Sequence, residues 1–418
     1  MNLIRVMPAE GSMLFDYSFR DYDEVRKFLD TAEWNRIHTS MALTMIASFF
    51  VWGLLLVTAP LVTEWPIVPS WGYMYVLLSS PAGLLIGNVV LGRTSDLLGR
   101  KSLFMATLAL GIAGILGIIF SRNFFEILAS IFIAEFGFGG EETVSLAFLA
   151  EQFPLKYRGK VLVLVSNSAN VGVAAISGIF IAFGYSIAIE KLIFGVMAIG
   201  GITIALYTRS RIPESLRWFY TKNSDTLIEK PQMHVIPFIV LSMFAITIVL
   251  TFALVADILG PYEYPKYTSI IPFIYGLGEA ISGFAIIAFI DRIGRRLTSV
   301  IAYMGGFLSM AVFLLYLISS LPFFVFLVLL VINSFFGELG WAVREILQPE
   351  LFTTIRRGSG IAAVRGIAYA LYIVSIFVLN GISVFEYMVF ATIIWVIGSI
   401  GSILWYSKGY ETLNKSLI

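Results

Sequence analysis

The sequence contains no cysteine, only two histidines and few charged residues. Without cysteine the chain can form no disulfide, no thiolate metal site and no cysteine nucleophile. His38 and His234 are too few for a histidine-based metal site, so we expect no bound metal. Charged residues make up 13% of the chain, against roughly 25% in soluble domains. These absences argue against a soluble globular protein of 418 residues.

Signals for enzymes and for nucleic-acid binding are also missing. The formal net charge is +1, which provides no bulk electrostatic attraction for nucleic acid. No G-x4-G-K-S/T phosphate loop occurs, which excludes ATP-driven transport within this chain, and no nucleophile–base set is present. We therefore expect no enzyme activity and no cofactor apart from a coupling ion. Residues 1–33 lack an apolar core before a small-residue cleavage site, so no signal peptide is expected.

Apolar residues, in contrast, are abundant and fall in long runs. They make up 58% of the chain, and the mean hydropathy is +0.88. Runs of about 20 apolar residues can cross a bilayer as helices, which satisfy their own backbone hydrogen bonds in lipid. We therefore predict an all-α integral membrane protein with twelve transmembrane helices, at 37–62, 72–92, 102–120, 124–150, 160–184, 190–208, 235–258, 267–290, 297–318, 321–346, 359–381 and 385–406.

The longest polar interruption divides these spans into six plus six, which predicts two pseudo-symmetric six-helix bundles. Acidic and aromatic residues near the N-terminus are compatible with a surface helix around 21–31. The predicted parts are a cytoplasmic N-terminal segment, an N-terminal bundle, a cytoplasmic linker, a C-terminal bundle and a cytoplasmic tail, at 1–33, 34–208, 209–234, 235–407 and 408–418.

The distribution of basic residues predicts the orientation, since lysine and arginine concentrate on the cytoplasmic side of membrane proteins. Of the 28 basic residues, the loops assigned to the outer side hold only Arg122, Lys191 and Lys266. We expect a multi-pass protein of the cell membrane with both termini in the cytoplasm. Its expected partners are the lipid bilayer and a small-molecule substrate, and we expect a monomer.

A set of charged loop residues occurs twice in this apolar chain. The pattern D-x-x-G-R-K/R follows the second and the eighth predicted span, and E-x6-R-G follows the fourth and the tenth. The second E-x6-R-G lies 199 positions after the first. Repeats of half the chain length are typical of transporters built from two related halves. The repeated charges are Asp96, Arg100, Glu151 and Arg158 in the first copy, and Asp291, Arg295, Glu350 and Arg357 in the second.

These motifs resemble those of the major facilitator superfamily. The family's loop pattern G-x-x-x-D-x-x-G-R-K/R is matched from Gly92 to Lys101, and residues 213–218 are similar to the P-E-S-P-R-W element of sugar porters. The resemblance implies alternating access, in which charged pairs close a cytoplasmic gate. The implied gate residues are Asp96, Gly99, Arg100, Glu151, Arg158, Asp291, Gly294, Arg295, Glu350 and Arg357.

Two further stretches are similar to metabolite:proton symporters and organic-ion transporters of that superfamily. Span 4 contains F-G-F-G-G-E, ending at Glu141, and span 11 begins with R-G-S-G-I-A-A-V-R-G, whose second arginine is Arg365. Span 7 lacks the paired glutamines typical of sugar porters. The resemblance implies secondary active transport of a small metabolite, preferably an organic acid, with protons as the coupling ion. A sugar or polyol porter, an uncoupled facilitator and a membrane sensor without transport are the alternatives.

Ionisable residues within spans are costly in lipid, so they usually face a cavity or a partner. We expect Arg365 to bind substrate, because its forked donors suit a carboxylate or phosphate. Its alternative role is a permanent ion pair with Glu279 or Glu338. The carboxylates expected to carry protons are Glu135, Glu141, Glu279 and Glu338.

Other polar and aromatic groups are expected to complete the pocket, although helix packing is an alternative role for each. Glu142, Arg344 and Glu345 lie nearer the inner ends of their spans, where snorkelling or a part in the gate is the simpler interpretation. The expected pocket residues beside Arg365 are Asn167, Asn170, Glu279, Tyr275, Trp52 and Tyr369.

Overall fold

The computed structural model describes residue 19 and residues 21–184, 186–209, 212–223, 235–319 and 321–417. Throughout these ranges the regular structure is helical, and no strand occurs. A π-helical segment, Ala253–Ile258, joins α10 to α11. The helices are α1 Tyr22–Thr31, α2 Arg36–Leu56, α3 Thr58–Val62, α4 Tyr73–Leu98, α5 Arg100–Phe120, α6 Phe124–Gln152, α7 Leu155–Phe183, α8 Ile187–Arg209, α9 Leu216–Asn223, α10 Val235–Phe252, α11 Leu259–Glu263, α12 Ile270–Ile287, α13 Ile290–Ile293, α14 Arg295–Leu317, α15 Phe323–Leu351, α16 Arg357–Val378 and α17 Val384–Lys408.

Each predicted span corresponds to a helix or a broken helix, which confirms the all-α membrane fold. The first span is α2 and α3 with a break at Val57, and the seventh runs through α10, the π-helical segment and α11. Within the described residues, eleven helical stretches are long and apolar enough to cross a membrane. Helix α6 has the length but is not among the eleven, because its glutamates, such as Glu135 and Glu141, lower its apolar character.

The membrane helices pack as two groups that meet along two seams. In the first group α6 packs on α4 and α5 and α7 packs on α2; in the second α15 packs on α12 and α14 and α17 packs on α10 and α14. The seams are α7 against α12 and α4 against α16. Glycine permits these close approaches, since a side chain at Gly283 would collide with Asn167 across the first seam. We call the groups the N-terminal bundle, α2 to α8, and the C-terminal bundle, α10 to α17.

One end of the molecule, defined by Asp96, Glu151, Asp291 and Glu350, carries both copies of the repeated charges; we call it the basic end. Helices α1 and α9 pack on each other and contact the structure there, through α7 and α6 respectively. Helix α1 forms where the sequence predicted a surface helix around 21–31.

The contact between α1 and α9 also reaches the end of the described chain. The apolar face of α1 packs on Leu216 and Tyr220 of α9. Asp30 of α1 accepts hydrogen bonds from Arg217 at 2.5 Å and from Ser416 at 2.5 Å. This one carboxylate therefore joins the N-terminal helix, the segment between the bundles and the C-terminal tail.

Parts of the predicted N-terminal segment and linker lie outside the described residues. These parts are residues 1–18, residue 20, residues 210–211 and residues 224–234, the last of which include His234. Within the predicted linker, the described range 212–223 contains helix α9.

Candidate functional site

At the basic end, charged residues at repeated positions pair across the two bundles. Glu151 of α6 accepts a hydrogen bond from Arg357 of α16 at 2.7 Å. Glu350 of α15 accepts one from Arg158 of α7 at 2.8 Å. All four side chains are buried. Each bundle therefore supplies one acid and one base, and the two exchanged ion pairs hold the bundles together at this end.

Glu151 has the larger set of partners of the two glutamates. Arg100 donates to it at 3.0 Å, and the hydroxyl of Ser215 donates at 2.5 Å. Arg100 also donates to Asp96 at 2.8 Å and to the backbone carbonyl of Thr354, in the C-terminal bundle, at 3.1 Å. A buried carboxylate is stabilised when several donors satisfy its oxygens in this way.

The two aspartates of the repeat differ in their partners. Asp96 crosses between the bundles and accepts hydrogen bonds from the backbone N–H groups of Gly358, at 3.1 Å, and Ser359, at 2.7 Å. An acid at the start of a helix is stabilised by the free N–H groups there. Asp291 forms an ion pair with Arg295 at 2.9 Å in its own bundle, and its oxygens have no hydrogen-bond partner among the described residues.

The glycines of the two loops have a conformational role. Gly99 and Gly294 precede α5 and α14 with φ values of 96° and 86°, in the region that favours glycine. Beside them, Glu214 and Glu411 each accept a hydrogen bond of 2.9 Å from the first backbone N–H of the following helix. Sequence reasoning missed both glutamates, although Glu214 lies within the P-E-S element.

Arg365 lies in the middle of α16, fully buried between the two bundles. It forms an ion pair with Glu142 of the N-terminal bundle and a second one, of 3.3 Å, with Glu345 of the C-terminal bundle. Arg344 pairs with Glu345 at 3.2 Å, and the hydroxyl of Tyr369 donates to Glu142 at 3.3 Å. Two arginines and two glutamates therefore form one neutral cluster at the centre of the molecule.

These partners of Arg365 differ from the predicted Glu279 and Glu338, and the physical reason is depth along the helices. Arg365 lies about 12 Å from the basic-end start of α16, at 1.5 Å per residue. Glu345 lies about 9 Å from the basic-end terminus of α15, whereas Glu338 lies about 20 Å from it. The snorkelling interpretation of Glu142, Arg344 and Glu345 is likewise replaced by a central cluster.

Two tryptophans border the arginine cluster. The guanidinium carbon of Arg344 lies 4.4 Å from the ring centroid of Trp341. The ring of Trp52, from α2, lies 6.4 Å from that of Trp341, so the pair spans the two bundles. The structure therefore places the predicted pocket residue Trp52 beside Trp341, the ring that Arg344 covers.

The predicted asparagines connect the bundles farther from the basic end. Asn170 of α7 donates to Glu338 of α15 at 2.7 Å and to Asn167 at 3.2 Å. Asn167 donates to the backbone carbonyl of Ala280 in α12 at 3.0 Å. Both asparagines thus face the C-terminal bundle, and they stabilise its contact with the N-terminal bundle.

Three more buried carboxylates lie, like Glu338, farther from the basic end than the arginine cluster. Glu135 accepts a hydrogen bond from Ser80 at 3.2 Å, and Asp257 accepts one from Tyr372 at 2.8 Å. Glu279 has no hydrogen-bond or ion-pair partner within the described residues, although its side chain is buried. The charges of Glu135 and Glu279 are close enough to interact with that of Asp257. With Glu338 they form what we call the acidic group: Glu135, Asp257, Glu279 and Glu338.

Sequence reasoning missed Asp257 and Tyr372. Asp257 stood one residue before the end of the predicted span 235–258, where an acid needs no special partner. The π-helical segment and α11 instead continue this span to Glu263, so Asp257 lies inside it. Since π-helical segments are frequent at functional sites, we regard Asp257 as a candidate functional residue.

Glu141 lies apart from the acidic group. It forms an ion pair with Arg209 of α8 and accepts hydrogen bonds from Ser48 at 2.9 Å and Thr107 at 2.6 Å. All these partners belong to the N-terminal bundle. The arrangement favours a structural role for Glu141 over the proton-carrying role predicted for it.

The comparison with known families gives a match over half of the chain. Residues 41–261 match the family model described as Major Facilitator Superfamily. This range runs from α2 to α11 and includes the first copy of the repeated charges.

Curated relatives match part of the chain. The niacin transporter of Acinetobacter baylyi is 29% identical over 182 residues, which are 42% of this chain and 40% of that protein. A repressible high-affinity phosphate permease of Neurospora crassa is 27% identical over 193 residues, 38% of this chain and 32% of that protein. The matches therefore span less than half of the length of either relative.

Among solved structures, the fold is similar to that of the proton:xylose symporter XylE of E. coli bound to 6-bromo-6-deoxy-D-glucose. The TM-score is 0.72 and the sequence identity is 16%. The match covers 91% of this chain and 97% of that one. At this identity the likeness concerns the fold.

Proposed function

Because this chain belongs to the Major Facilitator Superfamily, we propose that it is a secondary active transporter of a small organic anion, coupled to protons. Residues 34–208 and 235–407 are the proposed moving halves, joined by the linker at 209–234. We place the basic end, both termini and the tail in the cytoplasm of a cell-membrane protein, since lysine and arginine concentrate on that side.

The environment of Arg365 is the observation that carries this proposal. A guanidinium buried between the bundles takes one carboxylate from each of them, Glu142 and Glu345. An anionic substrate that replaces either carboxylate keeps the guanidinium satisfied, and so avoids the cost of an unpaired buried charge. Replacement of Glu142, which lies in the other bundle, also removes an ion pair between the bundles and so links binding to movement.

The names of two partial relatives are compatible with an anion. One is a niacin transporter and the other a phosphate permease. Niacin is a pyridine carboxylic acid, and both compounds are anions at neutral pH. A planar fork of donors such as Arg365 suits a carboxylate and a phosphate alike.

The acidic group supports coupling to protons. Within the described residues, none of its four carboxylates has an ion-pair partner. Adding an anion beside buried, unpaired carboxylates is costly unless a positive charge enters with it. We propose that Glu135, Glu279 and Glu338 take up that proton, and we assign Glu141 to its ion pair with Arg209.

In this proposal the basic-end network is the cytoplasmic gate. The pairs Glu151–Arg357 and Arg158–Glu350 connect the bundles while the basic end is closed. They have to separate when it opens. The charges of this network affect only the movement of the bundles, because they lie outside the central cluster that contains Arg365.

The test uses purified protein in vesicles, a panel of organic acids and sugars, and an imposed pH gradient. We expect an acid to accumulate along the gradient and a protonophore to abolish accumulation. Arg365→Ala should lower uptake about 100-fold or more, since it leaves buried carboxylates unpaired. The exposed Arg93, in α4, provides the matched control Arg93→Ala.

The same measurement distinguishes the alternatives. Uptake of a sugar or polyol that survives in Arg365→Ala indicates a sugar porter. If the protonophore does not lower the uptake of an acid, the protein is an uncoupled facilitator. If no acid is taken up, and Arg365→Ala takes up the other compounds of the panel as wild type does, the organic-anion proposal is wrong.

A further inference from the structure

Buried polar atoms without hydrogen-bond partners lie at two places along the interface between the bundles. Around the arginine cluster they include two acceptors, Oε1 of Glu142 and Oε2 of Glu345, and a larger set of donors: Nε and Nη1 of Arg365, Nε and Nη1 of Arg344, and Nε1 of Trp52 have no acceptor within the described residues. A buried donor without an acceptor costs about 1–3 kcal/mol. Such a set of donors in one place indicates a ligand group that accepts hydrogen bonds, such as a carboxylate.

The acidic group shows the opposite chemistry. Its unpaired atoms are acceptors, and its four side chains are at most 3% exposed. They come from α6, the π-helical segment, α12 and α15, hence from both bundles. The unpaired oxygens are Oε2 of Glu135, Oδ1 of Asp257, Oε2 of Glu279 and Oε1 of Glu338.

Glu279 is the member of the acidic group that has no hydrogen-bond partner within the described residues. Its Oε1 lies above Gly337, 3.4 Å from where a β-carbon would stand there. The hydroxyl of Tyr275 would lie 2.8 Å from the same β-carbon. Glycine at 337 thus lets the hydroxyl of Tyr275 and the carboxylate of Glu279 approach α15 closely, beside Glu338.

A row of aromatic rings joins the two ends. The ring of Tyr275 lies 6.3 Å from that of Phe252, which lies 6.5 Å from that of Trp341, which lies 6.4 Å from that of Trp52. Tyr275 stands beside the acidic group, and Trp341 stands beside Arg344. Aromatic faces attract cations, quaternary ammonium groups in particular.

The spacing suits one small molecule. Glu338 and Glu345 are seven residues apart on α15, or about 10.5 Å along the helix axis. Arg365 pairs with Glu345 at 3.3 Å, so this spacing sets the scale of the distance between its guanidinium and Glu338. An amino-acid-sized ligand with charges at its two ends can reach both.

We propose that the substrate is a zwitterion, whose carboxylate binds at Arg365 and whose cationic nitrogen binds at Glu279 and Glu338 against the Tyr275 ring. This inference rests on the proposed transport function and narrows its substrate from carboxylates in general to carboxylates that also carry a cationic nitrogen. A plain anion satisfies the donors and leaves the carboxylates unpaired, and a sugar carries no charge for either end. An amino acid, a betaine or a pyridinium carboxylate supplies both charges.

Two matched pairs of probes test the positive charge alone. Glycine betaine and 3,3-dimethylbutanoate have the same shape and carboxylate but differ in one quaternary nitrogen, as N-methylnicotinate and nicotinate differ in a methylated ring nitrogen. Tetramethylammonium is the cation without a carboxylate. Binding is measured on the purified full chain by ligand-induced thermal stabilisation, and transport by uptake into vesicles. We expect at least one zwitterion to bind 10-fold or more tightly than its anionic partner.

Variants assign that preference to residues. Glu279→Gln and Glu338→Gln should bring the zwitterion-to-anion ratio close to one, whereas Glu279→Asp, which keeps the charge and also tests folding, should retain a preference. Glu33→Gln, at an exposed acid, should leave the ratio as in wild type. Arg365→Ala should weaken both members of a pair.

Each contrary result has a distinct meaning. If the anions bind as tightly as the zwitterions and Arg365→Ala abolishes binding, the zwitterion proposal is wrong and the organic-anion function stands. Tetramethylammonium binding as tightly as betaine overturns the two-ended site. Binding of none of the probes also overturns the proposal, while the acid and sugar panel decides separately whether the chain is an organic-anion transporter.

Discussion

The basic end and the centre of the molecule both contain buried ion pairs between the bundles, but they are built differently. At the basic end, Glu151–Arg357 and Arg158–Glu350 are equivalent pairs related by exchange of the bundles. At the centre, Arg365 receives carboxylates from both bundles and has no basic counterpart: the position 199 residues earlier is Ser166. The symmetric pairs suit a task that both bundles share, and the asymmetric cluster suits recognition of one ligand.

The two regions also differ in how completely their polar atoms are paired. Glu151 receives two arginines and a hydroxyl. In the central region, Glu279 is buried without a partner and two nitrogens of Arg365 are unpaired within the described residues. A satisfied network stabilises one arrangement of helices. An incomplete one leaves atoms for a ligand to pair with, which is why we place the substrate there.

The largest expected effect comes from breaking the symmetric gate. Arg357→Gln leaves Glu151 without one of its cations, and removing one partner of a buried pair costs about 3–5 kcal/mol. We expect substrate uptake to fall about 100-fold or more while the Kd for substrate changes less than about threefold. Uptake and equilibrium binding are measured on the same vesicles and purified protein.

The neighbouring Arg356 is exposed and serves as the control. Arg356→Gln should keep both uptake and binding at the wild-type level. A loss of binding in Arg357→Gln equal to its loss of uptake would contradict the separation of gate and substrate site.

A smaller effect tests one place where the proposed gate departs from symmetry. Asp96 accepts hydrogen bonds from the start of α16 in the other bundle, whereas Asp291 pairs with Arg295 in its own. Charged hydrogen bonds contribute about 1.5–3 kcal/mol, so Asp96→Asn should lower uptake about 10-fold or more. Asp291→Asn should lower it about threefold or less, because Asp291 forms no hydrogen bond to the other bundle within the described residues. Equal losses in the two variants would show that the loops act through a shared property of each half.

The smallest effect concerns stability and its dependence on pH. Burial raises the pKa of Glu214, although hydrogen bonds from the backbone N–H groups of Ser215, Arg100 and Lys101 oppose that shift. The folded protein therefore holds this proton more tightly than the unfolded chain. The stability that Glu214 contributes is complete below the ordinary pKa of about 4.3 and declines as the pH rises through the raised value.

Glu214→Gln removes this titrating group, so its Tm should decline less than that of wild type over the weakly acidic range. Glu411→Gln, at the equivalent cap of α14, provides the comparison. Both variants lose a charged acceptor at a helix start, worth about 1 kcal/mol. Parallel Tm curves for wild type and Glu214→Gln would refute the pH assignment.

Much of this architecture was predictable because it depends on local properties of the chain. Apolar runs, glycine at the two loop positions and the repeated charges are all visible in the sequence, and the helices, the positive φ angles and the basic-end pairs agree with them. Asn167 and Asn170 were selected as polar residues one turn apart in an apolar span; they bond to the C-terminal bundle, and their predicted role in substrate binding stays a prediction. Asp257 was not predicted as a site residue, because the π-helical segment that places it inside the span has no sequence signature of its own.

The order of residues is sufficient for the membrane class, the twelve helices and the family of this protein, because composition and periodicity along one chain decide whether a segment favours lipid. The choice of partners is a different matter. Arg365 could have met Glu338 or Glu279, and its pairing with Glu142 and Glu345 depends on the relative depth at which α6, α15 and α16 pack. An ion pair forms only when two charged groups come within a few ångströms, and residues as far apart in sequence as Arg365 and Glu142 reach that distance only in the folded molecule.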